Sequence, residues 1–156
     1  MADLPSIDIV DPDLDAIAGA TGHICVLLSE GGKLDKMARR VNRLTRGALE
    51  RLATSEKFGK LKEGDAVTMA YPSGLVAEAL HVIRLDKRTR GKVARDAGAT
   101  LGAVLGADGA MILAAGLKGL EDVLLGTLLR AYSFDTHKSS DLRINVVAEV
   151  ASEVLT

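Results

Sequence analysis

At 156 residues, 47% apolar and 26% charged, the chain has room for one domain with a core of its own, since a domain near this length buries roughly 70% of its unfolded surface. Aromatic residues make up 3%, with no Trp, which leaves the core to Leu, Val, Ile and Ala and excludes a platform of rings for stacking bases. The formal net charge of −1 excludes a chain-wide field for nucleic acid or acidic lipid, and a single cysteine, Cys25, excludes an internal disulfide framework.

Met1 to Pro5 lacks the basic and apolar parts of a signal peptide. No apolar run reaches the roughly 18 residues of a membrane span. Both features, with the lone cysteine, point to a cytoplasmic domain. Ser6 to Val10 alternates Ile7 and Ile9 about Asp8, the pattern of a short edge strand. His23 to Leu28 is nearly continuous in apolar residues, as expected of a strand covered on both faces, with Cys25 inside it. Leu34, Met37, Val41, Leu44, Ala48 and Leu52 recur at three- and four-residue spacing and predict one helix from Leu34 to Ala53. Phe58 to Gly64 reads as a turn-rich connection. Two strands, Asp65 to Ala70 and Ala79 to Leu85, flank the turn Tyr71-Pro72-Ser73-Gly74.

Asp86 to Thr89 opens a second helix expected to run to Leu105. Gly109 to Ala114 is a strand. Gly119 to Ala131 is a third helix with Glu121 and Asp122 in its first turn, where negative charge suits the helix dipole. Leu142 to Val150 alternates as a last strand. Six strands interleaved with helices imply an α/β domain, its sheet mixed and mostly parallel, with helices on both faces. The periodic stretch Glu149 to Leu155 stops at Thr156 without a polar tail, the expectation for a chain that continues in its parent.

His23, His81 and His137 lie far apart, none with a ligand partner at metal-binding spacing, so a hydrogen-bonded structural role is the reading for the two on strands. Cys25 reads as an inert core thiol, because activation needs access and a basic neighbour. Gly98, Gly102 and Gly106 share one helix face; close packing on the sheet is the expected reason. Lys36, Arg39, Arg40, Arg43 and Arg46, joined by Lys57, Lys60 and Lys62, and a second group of Lys87, Arg88, Arg90, Lys92 and Arg95, offer phosphate contacts. With net charge near zero and no reading element, a solvated or partner-docked face is the favoured reading.

The stretch Gly126-Thr127-Leu128-Leu129-Arg130-Ala131-Tyr132-Ser133-Phe134-Asp135-Thr136-His137-Lys138 is the most distinctive. It resembles the Gly-x-x-Leu-x-x-Tyr-Arg-Phe-Asp-x-x-Lys segment of the amino-terminal domain of leucyl aminopeptidases, matching at Gly126, Leu129, Tyr132, Phe134, Asp135 and Lys138, with Ser133 in place of the family's arginine. Phe58-Gly59-Lys60 with Glu63 looks like the family's Phe-x-Gly-Lys-x-Gly-Glu turn, shifted in detail, and Ala94 to Gly98 like the start of its glycine- and alanine-rich helix. Arg84-Leu85-Asp86 departs from the family's Gly-Leu-Gly after the fourth strand and marks a divergent member.

The resemblance implies a three-layer α/β/α, macro-domain-like fold over residues 1–156, preceding a catalytic domain with two divalent metal ions, zinc or manganese. The family's Asn-Thr-Asp-Ala-Glu-Gly-Arg motif is absent here, so no catalytic, cofactor-binding or metal-ligating residue is assigned to this chain. The implied partners are a catalytic domain in cis and further copies in a homohexamer, with no membrane. The parent would be a metallo-aminopeptidase, and this domain a non-catalytic assembly or regulatory part of it. Two other readings stand beside that one. A macro-like module for ADP-ribose or a related nucleotide would use glycine loops at Gly31-Gly32 and Gly116 to Gly119, with backbone N–H groups on a diphosphate. Nucleic-acid binding, a side role of some family members, would use the basic helices.

Overall fold

A computed structural model describes residues 6–10, 13–29, 33–104, 109–134 and 143–147 of the chain. Strands β1 (Ser6–Val10), β2 (His23–Leu28), β3 (Ala66–Ala70), β4 (Ala79–Arg84), β5 (Ala110–Leu113) and β6 (Arg143–Val147) form one sheet in the order β1-β6-β5-β2-β4-β3. Neighbours run parallel except β3, which lies antiparallel to β4 at one edge. The expected edge strand Ser6–Val10 forms the other edge, and His23–Leu28 lies between two parallel neighbours. Its apolar run follows from that place, since both faces are covered.

Alternation along the strands sorts the core into two clusters. Cys25, Leu27, Ile83, Leu85, Ile112 and Ile144 meet one helix layer. Ile24, Val26, Leu28, Leu80, Val82 and Leu113 meet the other. The first layer is α5 (Lys92–Val104) and α6 (Leu120–Phe134), which contribute Ala94, Ala97, Leu101 and Val123. The second layer holds α1 (Ala16–Gly19), α2 (Lys36–Leu44), α3 (Ala48–Ala53) and α4 (Glu56–Gly59), with Ile17, Met37, Val41, Leu49 and Phe58 buried. The expected three-layer α/β/α architecture is therefore present.

Several local expectations are corrected. The single helix from Leu34 to Ala53 is two helices, α2 and α3, because Arg46 (φ 56°) and Gly47 (φ 85°) turn left-handed between them. The Arg46 N–H donates to the Arg43 carbonyl and the Gly47 N–H to the Asn42 carbonyl, which closes α2 by satisfying carbonyls its own turns leave open. The break rotates the apolar stripe. Beyond it Leu49 and Ala53 are buried in place of Ala48 and Leu52. The connection from Phe58 begins inside α4, whose cap Ser55 accepts from the Phe58 N–H at 3.2 Å. Asp86 to Thr89 precede the second helix, which starts at Lys92, and the third extends through Phe134.

The glycine face of α5 has a different cause from close approach to the sheet. It packs on α6. A Cβ on Gly98 would collide with the Val123 carbonyl oxygen, one on Gly102 would stand 2.7 Å from the Thr127 oxygen, and one on Gly126 would collide with the Arg95 carbonyl oxygen. The two helices therefore touch backbone to backbone. Thr127 Oγ1 donates within that seam to the carbonyls of Gly98 and Val123, at 3.0 and 2.9 Å. Gly106 lies outside the described residues.

Candidate functional site

Chain connections lead from β2 toward β4 and β3, and from β5 toward β6, so the strand order reverses between β2 and β5. Open α/β sheets bind ligands at such a reversal, beyond the carboxyl ends of the strands. A cavity of about 250 Å³ lies there, lined by Leu14, Asp35, Met37, Lys87, Ala115 and Gly116. Asp35 caps α2, its Oδ1 accepting from the Ala38 N–H at 2.8 Å. Its Oδ2 meets Lys87 Nζ at 2.6 Å. The Lys87 backbone is held in turn by the Lys118 N–H, which donates to its carbonyl at 2.7 Å. Gly116 turns with φ 75° beside the Lys87 side chain. Asp35 thus supplies the anion for both the helix end and the lysine. Gly31 and Gly32 lie outside the described residues.

Across the α5/α6 face, strand register joins two histidines 58 positions apart. His23 sits opposite Ala79, two residues before Cys25 meets His81, so both imidazoles project from the same face. Their rings stack with centroids 5.0 Å apart. His23 Nδ1 lies 2.7 Å from His81 Nε2, and His81 Nδ1 lies 2.7 Å from Thr68 Oγ1. His23 Nε2 points to the Glu78 carboxylate at 3.9 Å. Burial, and then the His23 ring, lower the His81 imidazole from 6.5 to about 4, so it stays neutral near pH 7. Both its nitrogens are engaged within the protein, which leaves none for a substrate. Sequence spacing hid this pair, since only the β2–β4 register brings the two together. Cys25 is buried, and burial pushes its thiol far up. That is the opposite of nucleophile activation.

Among the described residues, no group of three or more His, Cys, Asp and Glu side chains is placed to hold a metal ion. The distinctive motif is divided. Gly126 sits in the α5–α6 seam. Leu129, three residues on, is 57% exposed on the outer face of α6 beside Leu125, which is 44% exposed. Tyr132 and Phe134 belong to the last turns of α6 rather than to the segment after it, and the packing of their side chains lies outside the described residues. Asp135, His137 and Lys138 also lie outside them. Of the second basic group, Lys87 pairs with Asp35 and Lys92 with Asp96 at 3.0 Å. On α2, Arg40 pairs with Asp15 at 2.9 Å.

No family model matches the chain. It is 44% identical over 135 residues to a probable cytosol aminopeptidase of Cereibacter sphaeroides, and 42% identical over 139 residues to one of Dinoroseobacter shibae. These matches cover 86% and 89% of this chain, which spans 28% of the length of each relative. Among solved structures, tomato leucine aminopeptidase superposes with a TM-score of 0.65 at 16% identity, over 99% of this chain and 35% of that one. The macrodomain of Mycobacterium tuberculosis DarG superposes with a TM-score of 0.61 at 15% identity, over 90% of this chain and 97% of its own. A Trypanosoma brucei macrodomain in complex with ADP-ribose does so at 0.60 and 9%, over 96% of this chain and 66% of that one. At those identities the structural likeness speaks for the fold alone, which is macrodomain-like, while the two curated relatives speak for descent. The chain belongs to the leucyl aminopeptidase (cytosol aminopeptidase) family, as an amino-terminal domain of it.

Proposed function

We infer that this domain is a non-catalytic assembly part of a cytosolic metallo-aminopeptidase, residues 1–156 preceding a catalytic domain that holds two zinc or manganese ions. The observation that carries this reading is Leu129. It matches the family motif, yet with Leu125 it forms an exposed apolar pair one helical turn apart on α6. Exposed leucines at that spacing suit a surface covered in the assembled protein, as in helix faces that dock. The chain also spans only 28% of the length of the curated relatives it matches, which leaves ample protein to cover it. Hydrolysis of peptide amino termini would then rest with the other domain, and copies would meet as a hexamer.

The test is a chimera in which this chain replaces the matching stretch of the Cereibacter relative. The chimera should assemble and hydrolyse a leucyl anilide with added manganese or zinc. Leu125→Ser with Leu129→Ser should shift its sedimentation toward smaller species, while the 156-residue chain alone turns over no substrate. Assembly indifferent to both serines, or turnover by the chain alone, would sink the reading.

The place of the cleft favours the second reading, a nucleotide such as ADP-ribose bound at the sheet reversal. Two features weigh against it. The cavity of about 250 Å³ is below the roughly 300–1,000 Å³ of usual ligand pockets, and Asp35 already occupies Lys87. Calorimetry with ADP-ribose should give no heat of binding.

A further inference from the structure

Four parallel strands each send a segment to the cleft at the sheet reversal. Leu14 follows β1, Asp35 follows β2, Lys87 follows β4, and Ala115 and Gly116 follow β5. The ion pair between Asp35 and Lys87 is not needed as a tether there. The Lys87 loop is already fastened by its backbone: the Asp86 N–H and the Thr89 hydroxyl donate to Glu63 Oε1 at 3.0 and 2.9 Å, and the Lys118 N–H donates to the Lys87 carbonyl at 2.7 Å. Asp35 caps α2, a task that a carboxylate performs without a lysine.

Both charges keep capacity for a second partner. An ammonium donates three bonds and a carboxylate accepts about four. Among the described residues Lys87 gives one, to Asp35, and Asp35 takes two, from Lys87 and the Ala38 N–H. The side chains are 41% and 27% exposed, so the open positions face the cleft's solvent. Gly116 leaves space beside the ammonium, where a Cβ would stand 3.7 Å from Nζ. Leu14, Met37 and Ala115 supply apolar wall.

A cation and an anion 2.6 Å apart select their ligand. A phosphate would meet Lys87 but face the Asp35 carboxylate, and an amine would face Lys87. A small zwitterion lays a carboxylate on the one and an ammonium on the other without parting them. Size agrees: an apolar cavity of roughly 150 Å³ takes up benzene, so about 250 Å³ accommodates roughly ten non-hydrogen atoms, as in leucine or methionine. We propose that this cleft binds a free α-amino acid with an apolar side chain, its carboxylate on Lys87, its ammonium on Asp35 and its side chain against Leu14 and Met37. Lys36, exposed at the rim, adds to the attraction for the carboxylate. The supply of that ligand, as the product an aminopeptidase releases, rests on the function proposed above; the site does not.

Titration of the 156-residue chain with L-leucine, followed by amide NMR, should give saturable shifts centred on Met37, Ala115 and Gly116. Lys87→Met and Asp35→Asn should each weaken binding about tenfold, the usual loss for a charged hydrogen bond. Both variants should fold, since a pair this exposed contributes little and asparagine caps a helix as well as aspartate. On the unaltered chain, 4-methylpentanoate and isoamylamine, each lacking one charge, should bind at least tenfold more weakly than leucine, as should leucylleucine, whose charges stand a peptide unit apart. Leu125→Ser with Leu129→Ser should leave leucine binding unchanged, so this site and the assembly surface fail separately. The proposal is overturned by no saturable shift up to the solubility of leucine, by shifts centred elsewhere, or by single-charge analogues or the dipeptide binding as tightly. Binding that both cleft variants leave intact overturns it too, and displacement of leucine by ADP-ribose would hand the cleft to a nucleotide.

Discussion

The α5/α6 layer and the α2–α4 layer cover opposite faces of one sheet by opposite means. Where α5 and α6 meet, Gly98, Gly102 and Gly126 remove side chains so that backbone meets backbone, and the buried hydroxyl of Thr127 ties the seam. In the other layer the short helices α2 and α3 are joined by a left-handed break, and side chains such as Phe58, Met37 and Val41 fill the space to the sheet. The first arrangement brings two helices into backbone contact along the seam. The second keeps helix ends, loops and charges at the surface. The Asp35–Lys87 cleft lies at the carboxyl ends of the strands, where the start of α2 meets the loops that lead into α5 and α6.

If the second layer depends on side-chain volume, Phe58→Ala should be the costliest change. A fully buried phenylalanine replaced by alanine loses about 3–5 kcal/mol, out of a usual domain total of about 5–15 kcal/mol. Denaturant melts would measure it, and a loss below 1 kcal/mol would show that the short helices are not anchored there. The first layer should fail in the reverse sense, by addition. Gly98→Ala puts a methyl where the Val123 carbonyl already lies and should cost about 3 kcal/mol, the upper end for an overpacked core. Gly91→Ala is not a fair control because of its φ of 75°. Gly59→Ala meets nothing within 4 Å and should be nearly neutral. Equal effects at 59 and 98 would refute the seam.

A smaller effect comes from the seam's hydroxyl. Thr127→Val keeps the shape but removes the hydroxyl's hydrogen bonds to the Gly98 and Val123 carbonyls, an expected loss of about 1 kcal/mol. Stability against pH separates the faces again, since the histidine pair projects from the α5/α6 side. His81 is lowered from 6.5 to about 4, so its contribution is complete above about pH 6.5 and drains away as pH falls toward 4. The melting temperature should fall through that window, and His81→Asn should flatten the fall; an unchanged slope would remove His81 from the account. Smallest of all, Cys25 should resist alkylation in native protein and react on unfolding, whereas rapid native labelling would contradict its central, covered position.

The number of strands, their order along the chain and the covered central strand were legible from residues alone, because the unbroken run from Ile24 to Leu28 reflects two buried faces, whereas the alternation of Ile7 and Ile9 marked an edge strand on which Ile9 is 51% exposed. Gly126 and Leu129 were legible as a motif but not as roles. One is a missing Cβ and the other an exposed side chain, and only a neighbouring helix tells them apart. The helix from Leu34 to Ala53 was misread because its apolar spacing runs through the break. Nothing in Thr45-Arg46-Gly47 beyond one glycine warns that an arginine will turn left-handed.

What the chain determines locally is therefore which segments are strand or helix and which face of each is apolar, since periodicity and turn residues act over a few positions. What only the tertiary structure decided are the meetings between distant segments: His23 with His81, Asp35 with Lys87, Gly98 with Val123, and Leu44 with Gly74. Each depends on strand register or on the approach of two helices. Those are set by the packing of the whole sheet, and no spacing within a single segment encodes them.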